Sequence, residues 1–164
     1  MKYVSTRNSS KEYSFEEVFI KGLADDGGLY VPISLKEYRS VELSELKNLN
    51  YNQLSTEIMN QFSSDFIPKE ELSSLINKSY STFREKEVVR ISNVGELNLL
   101  ELFHGPTLAF KDVAMQFIGN LYEYYLTKNN KKINIVVATS GDTGAAAIDA
   151  IKGKLNLNIF VLHP

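Results

Sequence analysis

No cysteine occurs in the chain. Disulfides and thiolate-ligated metal centres are therefore excluded. Histidine is scarce as well: His104 and His163 are the two present, too few for a multi-histidine metal site. There is no excess of positive charge. The net charge is -2 and the isoelectric point is near 5.7, which gives no basic face with which to hold a nucleic acid. Long apolar runs are missing too. The longest, such as residues 135–138, fall far short of a bilayer span. The amino terminus, MKYVSTRNSSKEYSF, has neither an apolar signal core nor an arginine-rich amphipathic presequence, so a cytoplasmic location is the default expectation. No internal repeat or low-complexity tract interrupts the chain.

What is present is ordinary for a globular domain: 43% hydrophobic and 23% charged residues. The first half reads as mostly helical. A short helix over residues 15–23 carries Phe15, Val18 and Phe19 on one side and ends in GLADDGGLYVP. There Gly27 and Gly28 can turn the chain and Pro32 stops any helix. SVELSELKNL suggests another short helix. Tyr51, Leu54, Ile58, Met59 and Phe62 form an apolar stripe at helical spacing. Leu72, Leu75, Ile76, Tyr80 and Phe83 form a second, with Pro68 near its first turn. Residues 88–91 and 97–103 read as strands around a turn at 93–95.

The pattern then changes. A helix over about residues 110–126 is expected to turn Phe110, Val113, Phe117, Ile118, Leu121 and Tyr125 inward. INIVVAT, residues 133–139, is β-branched and apolar on both faces, as in a central strand of a parallel sheet covered on both sides. SGDTG follows, then a helix AAAIDAIKG closed by Gly153, then a second buried strand in NIFVLHP. Strand, glycine turn, helix, strand is one right-handed βαβ unit. The fold class expected is α/β: a mostly helical region over residues 1–85, then the beginning of an α/β domain over residues 86–164. Two parallel strands make a poor sheet, so the chain is expected to be part of a longer protein.

Two stretches carry chemistry. SGDTG, Ser140 to Gly144, lies between a strand and a helix start. Backbone N–H groups there and the positive end of the helix dipole suit an anion. Gly141 and Gly144 allow close approach, and Ser140, Asp142 and Thr143 add hydrogen-bonding side chains. It is neither a Walker loop nor a dinucleotide fingerprint. The plain alternative is an N-cap supplied by Asp142 or Thr143. The second stretch, LFHGPTLAFKD, places Lys111 just after a turn and at the start of a helix, where a cation opposes the dipole. A solvated surface lysine with its stem on apolar neighbours is the plain reading. The other is an amine whose pKa is lowered by its surroundings, able to form a Schiff base with an aldehyde.

LFHGPTLAFKD and ATSGDTG in this order, with GLADDGGLYVP upstream, resemble the threonine synthase family, pyridoxal-phosphate enzymes of fold type II (tryptophan synthase β-like). The resemblance runs through essentially the whole chain but spans less than half of a family member. It implies that Lys111 carries pyridoxal 5'-phosphate as a Schiff base and that Asp142 and Thr143 also meet the cofactor. It further implies that Ser140, Gly141, Asp142, Thr143 and Gly144 receive the substrate carboxylate. Many fold-type II relatives have asparagine where Asp142 stands; aspartate is the form found in threonine synthases. His104 and Thr107 line the same segment without an assigned role, and GLADDGGLYVP is read as structural.

The activity implied is conversion of O-phospho-L-homoserine and water to L-threonine and phosphate, the last step of threonine biosynthesis, catalysed by a lyase. The expected partner is that small molecule, with no nucleic acid and no membrane; an oligomer is compatible with the full-length enzyme. No later glycine-rich loop for the cofactor phosphate and no partner for the pyridine nitrogen is found in the chain, so on its own it is expected to lack full activity. Two alternatives remain: a serine/threonine dehydratase of the same fold type, and an inert module that binds a phosphorylated small molecule.

Overall fold

The computed structural model describes residues 1–164, which fall into two compact units, Met1–Ser74 and Leu75–Pro164. In the first, strands β1 (Tyr3–Ser5) and β2 (Tyr30–Pro32) pair antiparallel, with Val4 opposite Val31. Helices α1 (Phe15–Lys21), α2 (Ser40–Leu46) and α3 (Tyr51–Ser63) belong to the same unit. The start of α1 is set by a reciprocal cap: Glu17 N–H donates to Ser14 Oγ at 3.3 Å and Ser14 N–H to Glu17 Oε2 at 2.7 Å. Helix α3 repeats the device with Asn50 and Gln53. Phe15 stacks on Phe19 and both rings lie against Phe66, at 5.6 and 6.4 Å between centroids.

The GLADDGGLYVP stretch is tied down by one carboxylate. Asp26 Oδ1 accepts from Ser5 Oγ at 2.7 Å and from Gly28 N at 2.8 Å. These two bonds, the Ser5 hydroxyl first, hold its carboxyl below the usual carboxylate range. Gly27 takes a positive φ of 77°. At Gly28 a Cβ would come within 2.3 Å of Ser5 Oγ. Both glycines therefore serve the turn.

Helix α4 (Lys69–Tyr80) runs from the first unit into the second. It stops before Phe83, which is nevertheless buried. The hairpin β3 (Arg90–Val94) and β4 (Leu97–Glu101) turns at residues 95–96 rather than at 93–95. Residues 88 and 89 stay outside it because buried Val88 sits in a turn with φ 62°, a value no strand admits.

Helix α5 (Asp112–Lys128), strand β5 (Ile133–Ala138), helix α6 (Asp142–Ile151) and strand β6 (Leu157–Leu162) complete the chain. The strands pair in parallel, with Ile135 opposite Ile159 and Val137 opposite Val161. These inward residues lie on the face covered by α6, whose Gly144 approaches Val161. The other face is exposed, with Val136 at 66% and Phe160 at 56%. Cover on both faces, expected from the β-branched run, is thus found on one; no element of this chain lies over the second.

Helix α5 also departs from its expected face. Phe110 precedes the helix and is 58% exposed. The buried stripe is Asp112, Gln116, Gly119 and Asn120, continued by Leu121, Tyr125 and Leu126. Leu121 and Tyr125 are inward as expected, but apolar periodicity missed Asp112, Gln116, Gly119 and Asn120 because that part of the seam is polar and small. At Gly119 a Cβ would lie 2.6 Å from the Ala150 carbonyl oxygen, so the two helix backbones are in close contact there. Gln116 Nε2 donates to Asp149 Oδ2 at 2.7 Å. Below it, Asn120 bonds Ser79 Oγ at 2.9 Å and receives Lys154 Nζ at 2.6 Å.

Gly119→Ala is expected to lower stability by about 1–3 kcal/mol through overpacking. Exposed Ala145→Ser, on the other side of the seam, is expected to change it by less than about 0.5 kcal/mol. Urea unfolding followed by circular dichroism measures both.

Candidate active site

Lys111 is the residue immediately before α5, with φ -60° and ψ -25°, and its carbonyl accepts from Ala114 N at 3.1 Å and Met115 N at 2.8 Å. Its side chain makes no hydrogen bond or ion pair. The amine lies 5.0 Å from the centroid of the Phe110 ring, and the residue is half-buried. The site thus holds an unpaired amine over an aromatic face at the end of a helix.

The turn before it is built on Asp112, which is fully buried. Asp112 Oδ2 accepts from Thr107 N at 2.8 Å and Oδ1 from Thr107 Oγ1 at 2.7 Å. Gly105 fits over this carboxylate only because it lacks a side chain: a Cβ there would lie 2.4 Å from both Asp112 Cβ and Oδ2. Between the two bonded residues, Leu108 takes a positive φ of 65°, an unfavourable conformation for a branched side chain. Earlier in the stretch, Arg84 N donates to the His104 carbonyl at 2.9 Å, and the His104 Nε2–H donates to Glu101 Oε2 at 2.9 Å.

The second stretch lies where β5 runs into α6. Gly141 occupies the N-cap position and no side chain caps the helix; Asp142 and Thr143 are its first residues. The plain reading of either as an N-cap is therefore not what the fold adopts. Gly141 N donates to Thr139 Oγ1 at 3.3 Å, and nothing lies within 4 Å of a Cβ built at Gly141. The first-turn backbone is open to solvent on this side, as are Ser140 and Asp142. Gly144 is different: it is buried, and a Cβ there would lie 2.3 Å from Thr139 Cγ2, so its small size serves the packing of α6 on the strand. Ser140 also lines a shallow concavity with Ala138, Thr139, Leu162, His163 and Pro164 at the carboxyl ends of the parallel strands, where α/β sheets bind ligands. Lys111 does not line that concavity.

The two helices relate the two stretches. Gln116 meets Asp149, Gly119 meets Ala150 and Asn120 meets Lys154. Position advances together along both segments, so α5 and α6 run in the same sense, with their N-termini at one end of the pair. From Lys111 to Gln116 the axis rises about 7.5 Å, and from Asp142 to Asp149 about 10.5 Å. Lys111 and the 140–144 turn therefore stand within about one helical turn of the same level. The sequence signal for Asp112 and Thr107, which shape the lysine's turn, is the i, i+5 pairing of threonine and aspartate across LAFK.

Residues 2–80 match the family model described as the threonine synthase N terminus. Threonine synthase of Schizosaccharomyces pombe is 43% identical, over 99% of this chain and 34% of its own length. The structure titled as pyridoxal-phosphate-bound threonine synthase from Brucella melitensis superposes with a TM-score of 0.94 at 39% identity, covering 100% of this chain and 36% of that one. Threonine synthase from yeast gives 0.93 at 46%, covering 99% and 35%. The chain thus spans about a third of the length of the relatives it matches.

Acid sensitivity provides a test of the turn's anchoring. Ser92 first, then His104, holds the Glu101 carboxyl below its ordinary value of 4.5. A depressed folded value means that ionised Glu101 favours the folded state. That contribution is complete above the unfolded value and is lost as pH falls through the folded one. Unfolding midpoints recorded from pH 6 down to pH 3 are expected to fall less steeply for Glu101→Gln than for the unaltered protein.

Proposed function

We propose, from the likeness in sequence and fold to the amino-terminal third of the threonine synthases, that the chain supplies the lysine side of a pyridoxal-phosphate site converting O-phospho-L-homoserine and water to L-threonine and phosphate. The observation that carries this reading is the unpaired Lys111 amine at the same end of the α5–α6 pair as the uncapped first turn of α6. These residues fit the cofactor chemically. An amine without an ion-pair partner is available to an aldehyde, and an open helix N-terminus suits a carboxylate.

Lys111 would hold the cofactor through its amine, with Asp142 and Thr143 beside it. When bound, pyridoxal phosphate supplies an electron sink for a carbanion next to its imine. Ser140, Gly141, Asp142, Thr143 and Gly144 orient the substrate carboxylate, which directs the Cα–H bond toward Lys111. The free Lys111 amine removes the Cα proton and helps take one from Cβ as phosphate leaves Cγ; protons return to Cγ and Cα, and water adds at Cβ. A base already tethered in the site replaces a diffusional encounter. The residues that cradle the cofactor phosphate lie outside this chain in this reading, so residues 1–164 alone hold the cofactor weakly. No helix of the chain is long and apolar enough to cross a membrane, and a cytoplasmic location goes with the reading.

In the full-length protein, Lys111→Ala is expected to lower phosphate release from O-phospho-L-homoserine by at least about 10²-fold. Borohydride reduction of the unaltered protein with pyridoxal phosphate is expected to leave the adduct on the peptide containing Lys111. Keto-acid formation from threonine at a higher rate than phosphate release would indicate a dehydratase instead.

A further inference from the structure

Asp112 is buried beside the candidate lysine, yet it contacts no cation. A carboxylate without a counter-charge is costly to bury. Its two oxygens are instead spent on one residue, Thr107, through the backbone N–H and the hydroxyl. The position is also the first of α5, where the helix dipole favours a negative charge, and Cβ there points back toward the preceding turn. We propose that Asp112, with Thr107 and Gly105, is a positioning device for Lys111: it closes the segment 108–111 at both ends and so fixes the base of the lysine side chain. This rests on the reading of Lys111 as the aldehyde-capturing amine.

The geometry supports the role in three ways. Gly105 gives up any side chain so that the turn can close on Asp112. Leu108 is held at φ 65°, a conformation that persists only where the surroundings impose it. Leu108 itself is 50% exposed, so its strain is not offset by burying its side chain. With the backbone held at Thr107 and Asp112, the remaining freedom of Lys111 lies in its own side-chain bonds. A group confined in this way meets a bound aldehyde in a narrower range of orientations, which raises its effective concentration.

Stability alone would be served as well by any cap that satisfies Thr107 N. The proposal therefore concerns capture rate, not folding. The full-length protein would be compared with Thr107→Val, which keeps the branched shape but loses the hydroxyl, with Thr107→Ser, which keeps it, and with Asp112→Asn. Imine formation with pyridoxal phosphate would be followed by absorbance, trapped with borohydride and mapped to residue 111, with urea unfolding in parallel. The expected result is a capture rate at Lys111 about tenfold lower in Thr107→Val and restored in Thr107→Ser. Should Asp112→Asn not fold, the two threonine variants still decide the matter. Capture at the unaltered rate in Thr107→Val, with only the unfolding midpoint lowered, would reduce Asp112 to a structural cap and overturn the proposal. Absence of any adduct on Lys111 in the unaltered protein would overturn both the proposal and the reading beneath it.

Discussion

The close approach of two helices at Gly119 is the constraint on which the rest of the second unit depends. A hydrogen is all that fits between α5 and the Ala150 carbonyl. That contact, with Gln116 on Asp149, makes α5 and α6 run side by side in the same sense. Two stretches about thirty residues apart in sequence are thereby placed at one end of the pair. Each alone is ordinary: a lysine before a helix, and a glycine turn after a strand. Together they set a side-chain amine and an uncapped helix start at one end of the pair.

The seam between these helices is polar, and it is satisfied. Gln116, Asn120 and Asp112 are buried, and each has hydrogen-bond partners within reach. Lys154 reaches both Asn120 and Glu123, and Lys78 also reaches Glu123. Opposite charges flank Glu123 and hold its carboxyl below the usual value, against the effect of its partial burial. Buried polar groups arranged in this way specify one register between elements, because any slip leaves donors or acceptors unmet.

Much of this was legible in the sequence. The main helices, the βαβ order and the glycine turns follow from local chemistry that acts within a few residues. The motif pair LFHGPTLAFKD and ATSGDTG pointed to the family that the comparisons bear out. Of the inward face of α5, Leu121 and Tyr125 were legible; its polar and small first half was not. Hydrophobic periodicity favours Phe110, Val113 and Phe117, whereas the tightest contact needs a glycine and hydrogen-bonding side chains. The cover expected on both faces of β5 and β6 is found on one side within this chain. Apolar residues on both sides of a strand state what a strand tolerates, not what this chain provides to cover it. The positive φ of Val88 and Leu108 had no sequence signal, since neither residue type favours it.

The absence of native cysteine makes the shared end of α5 and α6 directly measurable. Lys111→Cys paired with Ser140→Cys, treated with a bismaleimide spanning about one interhelical distance of 10 Å, is expected to give an intramolecular cross-link. Lys128→Cys paired with Ser140→Cys, with α5's 17 residues or about 25 Å of helix intervening, is expected to give none. Cross-linking of the second pair and not the first would place the lysine and the turn at opposite ends and contradict a common site.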